Sequence, residues 1–314
     1  MKIFYHKRVQ HFIKPVILTW SIFLYTTAVR GLTKDFPEVP GKVSSTQQQA
    51  ISYVEKITEL KTSTHWPNIK PDLFLKNLKK NIHNSVSIYP GKGTNFCGYG
   101  ALTYLFLQDD PLGYANLMLK LYSEGNATFR NISFNPSPAI KREAGALKYK
   151  GLLDINPAEQ MWYLTLADHY KGYLNFFNKT YDGGDENRFW ASVNYAKFNR
   201  MTRDLLHYNS KAKGADLMRP KVGSLYNYIS EKMKTGTVVL FINNRIVHKK
   251  DHIRIKLGVP THFIVAEKIS IENDVITFMY WDYGRKTQLQ VSTDFFKRIV
   301  FGITWFTKKE TDVE

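Results

Sequence analysis

The segment THFIVAEKISIENDVITFMYWDYG (261–284) decides how this chain is read. Two apolar, β-branched runs, 262–269 and 275–283, flank the short polar connection SIEND. That pattern predicts a tight β-hairpin. With the turn near residue 272, His262 falls directly across from Asp282. Opposed Cβ atoms of an antiparallel pair lie about 4.5–5.5 Å apart. The imidazole and the carboxylate can then hydrogen-bond, which fixes the ring's tautomer and stabilises its protonated form.

Further strands are predicted at 237–243 and 301–307, with a short helix at 292–299. Upstream the apolar period is helical. Helices are expected over 46–60, over 71–82, from Cys97 onward, over 111–124, over 157–170 and over 224–236. Asp110 suits an N-cap, Pro111 the first helical position and Gly125 a stop. Residues 126–150 read as irregular and 171–221 as mixed. Helices first and strands last is the order of an α+β fold. The expected organisation is a linker over 31–45, one domain over 46–308 and a tail over 309–314.

The only cysteine of the 314 residues stands in GTNFCGYGALTYLFLQDDP (93–111), where a glycine-bearing loop meets an apolar helix. A thiol at a helix N-terminus faces unpaired N–H groups and the positive end of the helix dipole, which favour the thiolate. A buried lone cysteine is otherwise an inert core filler. Export weighs against the filler reading. The basic lead MKIFYHKRVQHFIK precedes the apolar run PVILTWSIFLYTTAV (15–29), too short for an ordinary membrane span of about 20 residues and suited to a signal peptide core. Residues 1–30 are therefore expected to be a signal peptide or membrane anchor, and the protein periplasmic, extracellular or anchored. Exported chains that use cysteine structurally use it in pairs, and one thiol cannot close an internal disulfide.

The formal net charge is +17. Lys2, Lys7, Arg8, Lys14 and Arg30 account for five of these charges, so the remainder carries +12. A diffuse excess of this kind favours acidic peptides, anionic envelope surfaces or acidic wall polymers. No stretch interleaves cations and aromatic residues as a nucleic-acid module does, so no specific nucleic-acid partner is expected. His248 and His252 have i, i+4 spacing but lack the glutamate of a metalloprotease helix. GKGTNFCGYG lacks the Gly-Lys-Ser/Thr of a phosphate loop.

NFCGYGAL around Cys97 resembles the nucleophile segment of papain-like cysteine peptidases. The hairpin segment 261–284 resembles the second half of that fold, in particular its C39-like branch, where His-Phe-Ile-Val opens a strand and the next strand ends in aspartate shortly before glycine. The resemblance covers roughly 90–108 and 224–308. It implies a nucleophile helix packed on a C-terminal antiparallel sheet, with a helical insertion at about 111–221. It also implies a triad of Cys97 as nucleophile, His262 as general base and Asp282 as orienting acid, and needs no metal or organic cofactor. The family's upstream glutamine is missing: Gly91 stands at that position, and Asn95 is the nearest amide that could hold an oxyanion. The expected activity is amide hydrolysis of a peptide or protein. The alternatives are acyl transfer of the transglutaminase or deamidase kind on the same triad, and an inactive envelope-binding module of the same fold.

Overall fold

The structure, a computed structural model, describes residues 44–308 apart from 92, 148–153, 177, 207 and 245–258. Residues 1–30, nearly all of the linker 31–45, the tail 309–314 and the pair His248 and His252 lie outside the described residues. Everything described belongs to one of the chain's two units, Glu38–Glu314. Among the described residues no helix is long and apolar enough to cross a membrane.

Local signals set most of the helices. α1 (Gln47–Val54) begins at Thr46, whose hydroxyl accepts from the N–H of Gln49 while the Gln49 side chain accepts from the N–H of Thr46. This reciprocal cap satisfies two donors that a helix start leaves open. α1 ends well before Leu60, the expected limit. α2 (Pro71–His83) and α6 (Pro157–His169) each start on a proline, whose missing N–H is no loss at that position. α3 (Cys97–Asp109) runs into Asp110, whose carboxylate caps α4 (Pro111–Glu124) by accepting from the N–H of Gly113. α4 stops at Gly125, where φ is 71°, a conformation that glycine adopts at little cost. Residues 126–147 are more ordered than expected. They hold a hairpin of β1 (Ala127–Phe129) and β2 (Ile132–Phe134), then α5 (Pro138–Glu143). Three-residue strands and a six-residue helix are too short to show a period.

The mixed region resolves into α7 (Tyr195–Leu205) and β3 (Tyr208–Gly214). After α8 (Leu225–Met233) come β4 (Thr237–Ile242), β5 (His262–Glu272), β6 (Val275–Asp282) and β7 (Arg285–Ser292), then α9 (Thr293–Ile299) and β8 (Val300–Lys308). Six strands form one sheet in the order β3-β8-β4-β5-β6-β7, with every neighbouring pair antiparallel. The edge strands β3 and β7 escaped the sequence reading because both are polar and largely exposed. The expectation of a helical insertion over 111–221 needs correction: β3 pairs along its length with β8 and is part of the main sheet.

The sheet is covered on both sides. Phe241, Phe263, Val265, Trp281 and Phe306 face the helical layer. Their alternating neighbours, among them Leu240, Ile264, Phe278, Tyr280 and Ile303, pack with residues of α8 and α9. β4 is buried at every position for this reason. α3 lies against the first side. Its Tyr104 stacks on Trp281 with ring centroids 4.8 Å apart and donates a 2.7 Å hydrogen bond to Glu267. Glu267 is the extra residue of a β-bulge between Ala266 and Lys268. A bulge re-aims a side chain, and this one ties β5 to α3. The fold is mixed α+β, with a helical layer on an antiparallel sheet.

Candidate functional site

Cys97 is the first residue of α3 and is 9% exposed. Phe96 precedes it and supplies no side-chain cap. The N–H groups of Cys97, Gly98 and Tyr99 lie in the first turn, where a helix offers them no acceptor. Gly98 is needed for packing: a Cβ there would lie 2.8 Å from Val193. The Cys97 thiol donates to the carbonyl of Thr261 across 3.7 Å.

That carbonyl belongs to the residue before His262, which opens β5 opposite Ile242. The hairpin turns on Asn273 and Asp274, and the bulge shifts the register, so Val265 faces Trp281. Direct opposition of His262 and Asp282 is therefore corrected. Asp282 falls across from Ile264, two residues along the same face, which makes the pair diagonal. Diagonal neighbours are still within reach of long side chains. Asp282 Oδ1 lies 2.5 Å from His262 Nε2, and both residues are buried.

The other ring nitrogen, Nδ1, makes no hydrogen bond. The Cys97 side chain is close enough to the same ring to help raise its pKa, while its thiol hydrogen is directed at Thr261. Burial by itself disfavours a charged imidazole. The hydrogen bond and charge of Asp282, together with the nearby Cys97, outweigh it, and His262 is pushed up to about 10. The three residues that the sequence singled out from distant positions thus come together.

Asn95 is placed differently from expectation. It lies at the site, but its Nδ2 donates to the Arg188 carbonyl at 2.8 Å and to Ser192 Oγ at 3.0 Å. Its backbone N–H donates to the Glu186 carbonyl. Both amide hydrogens are used to hold the 186–192 segment, so the side chain is not a free oxyanion donor.

Cys97 opens onto a cleft of about 900 Å³. Its lining includes Tyr173, Asn178, Phe189, Leu217, Val259 and Thr261. Several of these apolar side chains face solvent, Leu217 at 76% and Phe189 at 67% exposure. Among the described residues the lining holds one guanidinium, Arg188, and one carboxylate, Asp216, whose formal charges cancel. Carboxamides of Asn178, Asn187 and Asn194 supply most of its polar character. The wall residues were missed because the 171–221 segment has no clear period. Exposed Leu217 and Phe189 in polar surroundings were the available signal.

A second missed residue is Tyr283. Its ring stacks on His262 with centroids 4.5 Å apart and planes at 13°. Among the described residues no group of three or more histidine, cysteine or acidic side chains is placed to hold a metal ion. No family model matches the chain, and no curated protein or solved structure matches it.

Proposed function

We propose that the protein is a cysteine hydrolase of papain-like fold, acting on amide bonds of a polypeptide. The observation that carries this reading is the convergence of Cys97 with the buried His262–Asp282 pair, where Cys97 itself lines an open cleft. An imidazolium held by Asp282 beside the sulfur favours the thiolate. The thiolate attacks the amide carbonyl carbon, and the carbonyl oxygen takes the negative charge. With Asn95 committed elsewhere, the donors for that oxygen are the free N–H groups at the start of α3. As the tetrahedral centre collapses, the carbon–nitrogen bond breaks and His262 gives its proton to the leaving amine. Water then attacks the thioester. The neutral imidazole takes a proton from it, the carbon–sulfur bond breaks, and acid and thiolate are released.

The neutral, amide-rich and apolar lining fits a chain segment with bulky apolar side chains and gives no support to a preference for acidic peptides. With the apolar leader at 15–29, the proposed place of action is outside the cytoplasm or at its membrane. The commitment of the Asn95 carboxamide favours one second reading, a binding module of the same fold that has lost turnover.

The test uses the full chain. Iodoacetamide alkylation of Cys97 is measured from pH 4 to 9, and cleavage of a peptide pool rich in aromatic and leucine residues is followed by mass spectrometry. Expected are rapid alkylation below pH 7 that depends on His262, and cleavage that Cys97→Ala abolishes. Rapid alkylation without cleavage supports the binding module. A thiol that reacts like free cysteine, near pKa 8.5, and is indifferent to His262→Ala defeats the hydrolase reading and leaves the binding module.

A further inference from the structure

Two hairpins of the main sheet close with two-residue turns, and they differ in what occupies them. Between β5 and β6 the turn residues are Asn273 and Asp274, with φ of 48° and 64°. Between β6 and β7 they are Tyr283 and Gly284, with φ of 43° and 78°. Two positive φ values in succession define the turn that suits the twist of a hairpin, and its first position prefers Asn, Asp or Gly. A tyrosine there is strained, because its Cβ crowds the following carbonyl. Nothing in the hairpin itself calls for an aromatic residue. Strain of this kind persists only where the surroundings over-determine it, and it concentrates at functional sites.

The surroundings here are specific. Trp281 Nε1 donates to the Val86 carbonyl at 3.0 Å, and a Cβ on Gly284 would lie 3.3 Å from the Ile88 carbonyl oxygen. The turn is therefore pinned against the segment that leads toward Cys97. So held, the Tyr283 ring lies nearly parallel on the face of His262, while the ring's edge meets Asp282. Burial, with negative charge at Cys97 and Asp282, holds the phenol well above its ordinary range, so the ring stays neutral throughout the working pH range.

We infer that Tyr283 is a positioning residue for the reaction: its ring fixes the plane of the His262 imidazole and shields the His262–Asp282 hydrogen bond from water. The inference rests on the hydrolase reading, or at least on a reactive Cys97–His262 pair. It assigns the function to the aromatic face, not to the hydroxyl.

The test compares wild type, Tyr283→Phe and Tyr283→Asn in the full chain, by thermal melting and by the pH dependence of Cys97 alkylation with iodoacetamide. Tyr283→Phe keeps the stack and should leave the alkylation profile unchanged. Tyr283→Asn removes the ring but suits the turn. It should melt within a few degrees of wild type or higher, while alkylation near pH 6 slows about tenfold or more and the profile moves toward that of a free thiol near 8.5. An Asn variant with the wild-type profile overturns the inference, and so does one that fails to fold, since the ring would then be a structural requirement. If wild type itself reacts like a free thiol, the failure lies with the reactive pair instead, and the two cases are distinguishable.

Discussion

Two buried polar groups in this molecule have strongly displaced ionisation, for opposite reasons. His262 is held protonated by partners: a carboxylate at 2.5 Å and the neighbouring sulfur overcome the cost of burial. Glu159, in the helical layer, is pushed up from 4.5 to about 7 by burial, which the approach of Asn156, Lys80 and Asn81 offsets only in part. Neither Glu159 carboxylate oxygen makes a well-formed hydrogen bond, and the same is true of the hydroxyls of Tyr114 and Tyr163 and of the Asn81 carboxamide around it. One cluster stabilises a charge and opens on a cleft; the other excludes a charge and is sealed. A displaced pKa therefore does not by itself mark a site. A thiol, a histidine oriented by a carboxylate and an opening must coincide, and among the described residues they do so at Cys97.

Substitution at the cleft cluster carries the largest expected effects. Cys97→Ala and His262→Ala should each lower kcat/KM for peptide cleavage by about 10⁴-fold or more while leaving the circular dichroism spectrum unchanged. Cleavage surviving both would remove any chemical distinction between the two clusters. Asp282→Asn should cost about 10²–10⁴-fold, because a neutral amide no longer supports the imidazolium. The raised folded pKa of His262 also has a consequence for stability. Its contribution is fully present below the unfolded value near 6.5 and is lost as pH rises toward about 10. Urea midpoints should fall over that window in wild type, and much less so in the Asp282→Asn chain.

The sealed cluster should behave in the opposite way under substitution. A carboxyl whose folded pKa is raised binds more protons in the native state than in the unfolded chain between pH 4.5 and about 7. Stability therefore falls across that window and stays low above it. Glu159→Gln should remove this dependence and stabilise the protein at pH 8 by up to about 3 kcal/mol, without altering alkylation of Cys97. Urea titrations at pH 5 and pH 8 check it; an equal effect at both pH values would show that Glu159 is not held neutral by burial. The smallest effect is expected at Asn95. Asn95→Ala removes two hydrogen bonds to the 186–192 segment and should cost about 1–2 kcal/mol of stability, with kcat reduced less than the 10²–10³-fold typical of a lost oxyanion donor. A larger loss of kcat at unchanged stability would restore Asn95 to the chemistry.

Much of the architecture was legible where local physics acts alone. Thr46, Asp110, Pro111, Gly125, Pro157 and Ser224 mark helix limits through caps and backbone geometry, and these depend on residues three or four apart. β4, β5, β6 and β8 were legible because burial leaves a continuous or alternating apolar record. β3 and β7 left none, since an edge strand can satisfy one partner and solvent at once.

The chain's composition and order determined the residue types of the site: one thiol opening an apolar helix, one histidine opening a strand and one aspartate closing the next. What the tertiary structure alone decided is how they meet. The turn on Asn273 and Asp274 and the bulge at Glu267 moved the His262–Asp282 pair from opposed to diagonal. The strained turn at Tyr283 set an aromatic ring on the imidazole. Residues as distant in the chain as Tyr173, Phe189, Leu217 and Val259 came to line one cleft with the sulfur. Register, turn strain and wall placement depend on contacts between residues far apart in the chain, and a one-dimensional pattern records only the burial each residue ends with, not the partner that provides it.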